Sequence, residues 1–237
     1  MGQVWRMGSK MKNIPSSIYK YFNNVGFRDR FINAGEVYFN SLSYFLSCED
    51  KSRRDNTENA NLYKPANGLQ ITKLHSQQTF TDARTLISTI KNPNRVFVYC
   101  TSNELSEVLF KRFSATTCVE IFNLPEFQKR LQKSLKNRAR LGIIKNTTLL
   151  NGSVDYYNSE NEPDTRHAWP DQIIMAKQSN PFSVEKEYRF AFAKDKNAFD
   201  VNNVDYSLGA EVQPFMGQHT HQVLHLGNLS DICKVVL

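Results

Sequence analysis

The sequence predicts an α+β fold, in which mostly antiparallel sheets of short strands carry flanking helices. Three observations predict it: stretches typical of strands recur along the chain, stretches with helical spacing separate them, and 40% of the 237 residues are hydrophobic. A chain of this length and composition can bury a core of its own. We therefore expect a single domain over residues 14–237, with a possible insertion around residues 120–170. Residues 1–13 are polar and basic and are interpreted as a loose leader.

The amino-terminal part is predicted to form a strand, a helix and a second strand. IPSSIYKYF, residues 14–22, favours a short strand, and VGFRDRFINAG places apolar residues at helical spacing. Gly35 stands where the C-terminal cap of that helix belongs. EVYFNS then predicts the second strand. The polar, Asn-rich residues 47–68 that follow are interpreted as a long surface loop, a kind of segment that often carries function.

The rest of the chain continues this mixture of strands and helices. NRVFVYCTS predicts a strand buried on both faces, and ELSEVLFKRF predicts a short helix capped by Thr101 or Ser102. DQIIMAK, KEYRFAF and HQVLHLG predict three further strands. LPEFQKRLQKSLKNRARLG is the clearest helix, because Pro125 suits its start, Gly142 suits its end and an apolar stripe follows one side.

The opposite side of this long helix is basic. Lys129, Lys133, Lys136 and Arg140 recur at helical spacing and form one row, called here the basic stripe. The net charge of +7 and the isoelectric point near 9.2 favour an anionic partner. Such a row suits contacts with successive phosphates of RNA or DNA, and it equally suits a solvated helix face.

Several classes of protein and site are disfavoured. No apolar run approaches the roughly 18–20 residues of a membrane span, and the four cysteines are scattered without C-x-x-C spacing, which fits a reducing compartment. We therefore expect a cytoplasmic protein without a membrane segment. The chain lacks a glycine-rich phosphate loop and an H-E-x-x-H motif. His219 and His221 could share a strand face, but no third metal ligand is evident, so no bound metal is expected.

A pair of glutamates opens the strand predicted from KEYRFAF. Two-residue spacing in a strand would send Glu185 and Glu187 to the same face, about 6.5–7 Å apart along it. Like charges so close together are destabilising unless a cation or a ligand interacts with them. Two explanations stay open: a solvent-facing strand whose charge is balanced by Lys186 and Arg189, or a functional site.

Two stretches together carry a family resemblance. SIYKYFNNVGFRDRFINAGEVYFNSLSYF has the order strand, helix, Gly, strand and Ser-x-Ser, and EKEYRF lies far downstream. The chain thereby resembles the ADP-ribosyltransferase superfamily, and it is also similar to bacterial DUF2971-type proteins, which open with an lYkY motif and carry E-EyR near their end. The matched pieces cover roughly residues 14–55 and 182–192. The resemblance implies a split β-sandwich, NAD as a substrate and a role as a toxin or in antiviral defence.

The resemblance also implies where NAD would bind. Lys20, or a neighbouring tyrosine such as Tyr21, takes the place of the His or Arg that holds the ribose and phosphates. Tyr38 stands where the family has a tyrosine that stacks on nicotinamide. Ser41 and Ser43 resemble the Ser-Thr-Ser segment of the second strand, although Leu42 replaces the threonine.

The downstream match implies the catalytic groups. Glu187 corresponds to the glutamate that hydrogen-bonds a ribose hydroxyl and stabilises the oxocarbenium-like state. Glu185 corresponds to the companion that orients or deprotonates the acceptor. Arg53 and Arg54, in the polar loop, would lie beside the NAD cleft, where they could hold phosphates or the target.

These implications define the expected function and its alternatives. We expect an NAD-dependent mono-ADP-ribosyltransferase that modifies a macromolecule, with RNA or DNA as the expected class and an antitoxin protein as a possible partner. One alternative is a non-catalytic nucleic-acid-binding module that uses the basic stripe. Another is a metal-dependent nuclease in which Glu185, Glu187 and Asp50 bind magnesium.

Overall fold

The computed structural model of the chain describes residues 14–47, 57–72, 76–82, 84–161, 169–209, 212 and 218–237. Its helices are α1 (Val25–Ala34), α2 (Leu42–Ser47), α3 (Glu107–Arg112), α4 (Leu124–Arg140), α5 (Pro170–Met175) and α6 (Ser179–Phe182). Its strands are β1 (Ile18–Phe22), β2 (Glu36–Ser41), β3 (Ala60–Tyr63), β4 (Leu69–Thr72), β5 (Thr79–Asp82), β6 (Thr85–Ile90), β7 (Val96–Ser102), β8 (Thr117–Ile121), β9 (Leu150–Ser153), β10 (Asp155–Tyr157), β11 (Ala176–Gln178), β12 (Glu187–Ala193), β13 (Val204–Gly209), β14 (His221–His225) and β15 (Cys233–Val235).

The fold is α+β, and the prediction of mostly antiparallel sheets with flanking helices is confirmed. The main sheet has eight strands in the order β14-β2-β7-β1-β8-β15, and β12 and β9 extend it from β7. All its pairings are antiparallel. Three small sheets accompany it: β13-β6-β3, β4-β5 and the parallel pair β10-β11.

The main sheet is split beside β7. One edge of β7 pairs with β12 along its whole length. The other edge is shared, because β2 pairs there with Phe97 and Val98 while β1 pairs only with Ser102. Residues 99–101 therefore have no described strand as a partner on that edge, and β1 and β2 diverge around them. This gap is where the candidate site lies.

Both faces of the main sheet are covered by buried apolar side chains. α1 and α4 contribute to the core on one face, and α2, α5 and β6 contribute to the core on the other. β12 alternates between the two cores, with Tyr188 and Phe190 on the first face and Ala191 on the second. Each fully buried large apolar side chain contributes about 1.5–3 kcal/mol. The same alternation places Glu187 and Arg189 on the second face.

Several local predictions are confirmed. Gly35 is the left-handed C-terminal cap of α1, with φ of 62°, and its backbone N–H donates to Arg30 O. β7 is buried on both faces along most of its length. α4 begins with Leu124 and Pro125 and buries one apolar stripe. The span of residues 120–170 contributes α4 to the first core and β9 to the main sheet.

Two local predictions are wrong. DQIIMAK is predicted as a strand, but most of it belongs to α5, because Pro170 suits a first helical turn and Asp171 follows it there. Only the last residues enter a strand, the short β11. α3 is capped by Ser106, whose side chain accepts from Val108 N, since Thr101 and Ser102 belong to β7.

Candidate active site at the split of the main sheet

A cavity of about 400 Å³ opens at the split. This volume lies in the range of about 300–1,000 Å³ that small-molecule sites occupy. Its wall includes residues of β1, α1, β2, α2, β7, β11 and β12 and of the segment before β12, and much of it is aromatic. The aromatic lining includes Phe22, Phe27, Phe31, Tyr38, Tyr99 and Phe182. Flat apolar surfaces of this kind bind planar rings by stacking.

The cavity brings together five of the seven residues predicted for NAD binding and catalysis. Lys20, Tyr21, Tyr38, Glu185 and Glu187 all line it, although they come from three strands and a turn. The two serines, at positions 41 and 43, are not among its lining residues. Their side chains are fully buried and hydrogen-bonded to each other at 2.9 Å.

Lys20 occupies the gap between the diverging strands. Its Nζ donates to the backbone oxygen of Cys100 at 2.7 Å, within the stretch of β7 that β1 and β2 leave unpaired. The ammonium also lies 4.4 Å from the ring centroid of Tyr99. The backbone oxygen of Cys100 thus receives a hydrogen bond from Lys20, where neither β1 nor β2 pairs with this part of β7.

The two cavity tyrosines differ in exposure and contacts. Tyr21 Oη donates to the oxygen of Glu104 at 2.8 Å and accepts from Ser106 N at 2.9 Å. Burial raises the pKa of Tyr21 to about 12, so it stays a neutral anchor between β1 and the start of α3. Tyr38 is 42% exposed, and its ring stacks on His221 with 6.5 Å between centroids. Tyr38 therefore offers the more accessible surface to a ligand.

The glutamates do not share a strand as predicted. Glu185 ends a 3₁₀ turn, Ser183–Glu185, and Lys186 adopts a left-handed conformation with φ of 45° before Glu187 opens β12. The solvent-facing explanation is also wrong, because Glu185 is 7% exposed and Glu187 is 3% exposed. The two carboxylates nevertheless converge, since both contact the ammonium of Lys177.

The glutamates belong to a buried charge cluster. Lys177 Nζ lies 3.1 Å from Glu185 Oε2 and 3.3 Å from Glu187 Oε2. Arg189 Nε donates to Glu187 Oε1 at 2.7 Å, and Arg189 Nη1 donates to Glu58 Oε1 at 2.7 Å. Arg112 completes the cluster through its Nη2, 2.9 Å from Glu185 Oε1. Three acidic and three basic side chains therefore balance one another beside the cavity.

The surroundings keep Glu187 ionised. Burial opposes its charge, but Arg189 and Lys177 outweigh that effect and hold the pKa of Glu187 well below its ordinary value. Burial likewise opposes the charge on Lys177, yet Glu187, Glu185 and Glu58 raise its pKa above the ordinary value. Burial raises the pKa of the Cys100 thiol, and the Glu187 carboxylate raises it further. The cavity wall thus carries a fixed carboxylate next to a neutral thiol.

The sequence does not identify most members of this cluster as residues of the site. The sequence presents Arg189 only as a balancing charge on a solvent-facing strand, whereas it is 1% exposed and pairs with two glutamates. Its spacing of two from Glu187 is the available signal. Glu58, Arg112 and Lys177 have no such signal, because the tertiary fold brings them together from separate elements.

The four predicted nucleic-acid contacts on α4 lie away from the cavity. All four side chains of the basic stripe lie along the outer side of α4, and Lys129 also pairs with Glu126 at 3.0 Å. α4 packs on the first face of the sheet, whereas Glu187 points to the second. Arg53, Arg54 and Asp50 lie outside the described residues.

Two further findings concern the described part of the chain. No group of three or more His, Cys, Asp or Glu side chains there is placed to hold a metal ion. No helix there is long and apolar enough to cross a membrane.

Comparison with known proteins gives no assignment. No protein-family model matches the chain, and neither does any curated protein or solved structure. A fold alone does not fix a function, so the chemistry of the cavity carries the inference.

Proposed function

We propose that the chain is an NAD-dependent ADP-ribosyltransferase-like enzyme that reacts NAD in the cavity at the split. One observation carries the proposal: Lys20 on β1, Tyr38 on β2 and Glu187 on β12 line the same cavity. These are the positions at which the resemblance implies contacts to the ribose and phosphates, to nicotinamide and to the ribose hydroxyl beside the developing positive charge.

The lining residues fit the parts of NAD. The aromatic wall suits the flat nicotinamide and adenine rings, and Tyr38 presents an accessible ring that already stacks on a neighbouring side chain. Lys20 brings a cation into the gap, where phosphate oxygens would approach its ammonium. The carboxylates of Glu185 and Glu187 suit the positively charged sugar and ring.

The charge cluster suits cleavage of the glycosidic bond. When the bond between ribose C1′ and the nicotinamide nitrogen breaks, the electron pair leaves with nicotinamide and positive charge develops on the sugar. Glu187 is ionised and fixed from two sides, so it is already oriented when that charge appears. The contribution of one such preorganised group to a barrier is about 3–4 kcal/mol.

The second carboxylate suits the acceptor. A nucleophilic atom of the acceptor bonds to C1′ and loses its proton, which needs a base nearby. Glu185 lines the same cavity and is oriented by Arg112 and Lys177. We assign the acceptor to the macromolecular class, with RNA or DNA favoured by the net charge of +7. Cys100, Cys118 and Cys233 are free thiols, which supports a cytoplasmic location.

The test measures nicotinamide release and transfer of label from NAD. Purified protein is incubated with NAD labelled in its adenylate part, with RNA, DNA and protein extracts as separate acceptors. We expect Glu187→Gln to lower nicotinamide release by roughly 10²–10³-fold. Glu160→Gln, at an exposed glutamate outside the cavity lining, serves as the matched control and keeps full activity.

A second variant tests the proposal in case Glu187→Gln does not fold. Tyr38→Ala changes an exposed cavity residue, so it should fold, and it should raise KM for NAD several-fold by removing a stacking surface. Tyr206→Ala, at an exposed tyrosine on β13, is its control. An unmodified chain that releases no nicotinamide, or a folded Glu187→Gln variant with normal release, would refute the proposal.

A non-catalytic nucleic-acid-binding module is the second candidate. The position of the basic stripe on the outer side of α4 favours it. The nuclease alternative is less favoured, because Glu185 and Glu187 already contact Lys177, Arg112 and Arg189, which would compete with a magnesium ion.

A further inference from the structure

Lys177 is the cation that Glu185 and Glu187 share. Each of the two glutamates also pairs with an arginine, Glu185 with Arg112 and Glu187 with Arg189. Lys177 Nζ instead lies between the two carboxylates, 3.1 Å from one and 3.3 Å from the other. Its side chain is 9% exposed and reaches the cavity wall from β11, which is outside the main sheet.

The position of Lys177 is itself fixed by its surroundings. Its ammonium lies 4.5 Å from the ring centroid of Phe182. β11 is held by parallel pairing with β10, in the register Tyr156 to Lys177. Tyr156 Oη in turn accepts the backbone N–H of Glu187 at 2.9 Å. The lysine, the first residue of β12 and the β10–β11 pair therefore form one connected unit.

The positive charge of Lys177 offsets the repulsion between the carboxylates of Glu185 and Glu187. Two carboxylates that approach one ammonium to within 3.3 Å are close enough to repel each other strongly once that ammonium is gone. Removing Lys177 would leave three acidic side chains facing only two arginines. Such a site lowers its energy when one carboxyl group takes up a proton.

We infer that Lys177 is a positioning residue for the proposed reaction: it holds the carboxylates of Glu185 and Glu187 side by side at the cavity wall. The inference rests on the proposed function. It assigns Lys177 no contact with NAD. Its effect passes through the two glutamates, which must both be unprotonated and oriented before the reaction, so that Glu187 faces the sugar and Glu185 can take the proton of the acceptor.

The titratable and charged groups around Lys177 define what its removal changes. Among the described residues they include Glu58 before β3, Cys100 on β7, Arg112 on α3, Tyr156 on β10, Glu185 in the 3₁₀ turn, and Glu187 and Arg189 on β12. The two arginines stay charged throughout the accessible pH range, and burial raises the pKa of both Cys100 and Tyr156. A new titration on the acid side of neutral pH would therefore come from a glutamate.

The test compares Lys177→Met with Lys177→Arg, because only the second keeps the charge. Glutamate carboxyl carbons labelled with ¹³C are followed by NMR against pH in the protein without NAD. Nicotinamide release is measured over the same pH range. Lys194→Met, at a partly buried lysine outside the cavity lining, is the control.

We expect three results for Lys177→Met. One carboxyl group of the pair titrates at a pH higher by about one unit or more than in the unmodified chain. Nicotinamide release falls on the acid side at a correspondingly higher pH, and kcat drops by up to about a hundredfold while KM changes little. Lys177→Arg restores the titration and most of kcat.

A double variant covers the case in which Lys177→Met does not fold. Lys177→Met combined with Glu185→Gln removes one positive and one negative charge, so the cluster is balanced again. That variant should fold even where Lys177→Met alone does not, because the two carboxylates no longer repel each other and the charges balance again. A double variant that also fails to fold would overturn the inference, since repulsion between Glu185 and Glu187 would then not be what Lys177 prevents.

The outcomes separate this inference from the proposed function. If the unmodified chain releases no nicotinamide, the proposed function fails and the positioning role fails with it. If release is normal but the carboxyl titrations of folded Lys177→Met match those of the unmodified chain, only the role of Lys177 is overturned. A drop in kcat that is equal at every pH and persists in Lys177→Arg would likewise indicate a purely structural residue.

Discussion

Glu187 and Arg189 lie two positions apart on β12, and their side chains share the second face of the main sheet. On an exposed strand such a pair would contribute little, because water screens it. Here both residues are buried, at 3% and 1% exposure, and Arg189 also pairs with Glu58. Removing one member of a buried pair leaves the other charge without compensation, which is far more costly than removing a surface pair.

Arg189→Met should therefore destabilise the fold. Methionine has a similar length but no charge, so Glu187 and Glu58 lose the arginine that they share. We therefore expect the free energy of unfolding to fall by about 3–5 kcal/mol. Urea unfolding followed by circular dichroism measures it. Arg84→Met is the control, because Arg84 pairs with Asp82 at the surface and its replacement should leave unfolding unchanged. Equal stability of both variants would contradict a compensated buried cluster.

At the scale of elements, the connection from α1 to β2 positions Tyr38 beside the cavity. Gly35 ends α1 in a left-handed conformation, and the first residue of β2 follows directly. The chain also passes close to a second segment there, since Leu226 N donates to Gly35 O at 3.0 Å. A side chain at position 35 would meet the backbone of Gly227, with its Cβ 2.2 Å from the carbonyl oxygen.

Gly35→Ala should consequently cost more than the same change at another left-handed glycine. Gly142, after α4, has φ of 72° but nothing within 4 Å of an added Cβ. We expect Gly142→Ala to lower the free energy of unfolding by about 1–2 kcal/mol, from backbone strain alone. Gly35→Ala should exceed that value, because the backbone of Gly227 must also move. Chemical unfolding of both variants measures the difference, and equal costs would refute the close approach.

At the scale of the whole molecule, the positive charge is partly concentrated on one surface. The chain carries a net charge of +7, and the basic stripe adds four cationic side chains on the outer side of α4. The buried charge cluster, by contrast, is balanced and contributes little field at a distance. The outer surface of α4 is therefore a place to which an anionic macromolecule would be attracted.

If the chain acts as the second candidate, a nucleic-acid-binding module, neutralising the basic stripe should weaken binding of single-stranded RNA about tenfold or more. The expected signature is a shallower dependence of log K on log salt, by about 0.7 for each phosphate that the variant no longer neutralises, measured by fluorescence polarisation. A control variant neutralises the same number of exposed cationic side chains outside α4: Lys64, Lys91, Lys111 and Lys196. An equally weakened control would show that binding depends on total charge, and an unchanged salt dependence in the stripe variant would exclude the stripe as a phosphate-binding surface.

How much of this structure could be predicted depends on whether the signal is local. The cap at Gly35, the helix α4 and the strand β12 follow from periodicity and capping within a few residues, and the structure has them as expected. The segment DQIIMAK fails, because a short apolar run does not distinguish a buried helix from a strand. Its helical state shows in Ile173 and Ile174, adjacent residues that are both buried in the same core.

Some features of the candidate site are also visible in the sequence, and others appear only in the folded chain. Two local patterns can be read directly from the sequence, because neighbouring residues carry them. One is the pair of glutamates at the start of a buried strand. The other is the order strand, helix, glycine and strand at the start of the domain. The meeting of Glu185 and Glu187 at Lys177, rather than on one strand face, appears only in the folded chain. So does the pairing of Glu58 with Arg189, 131 residues further along. Burial and ion pairing of this kind arise from strand pairings across the whole chain, and no local periodicity encodes them.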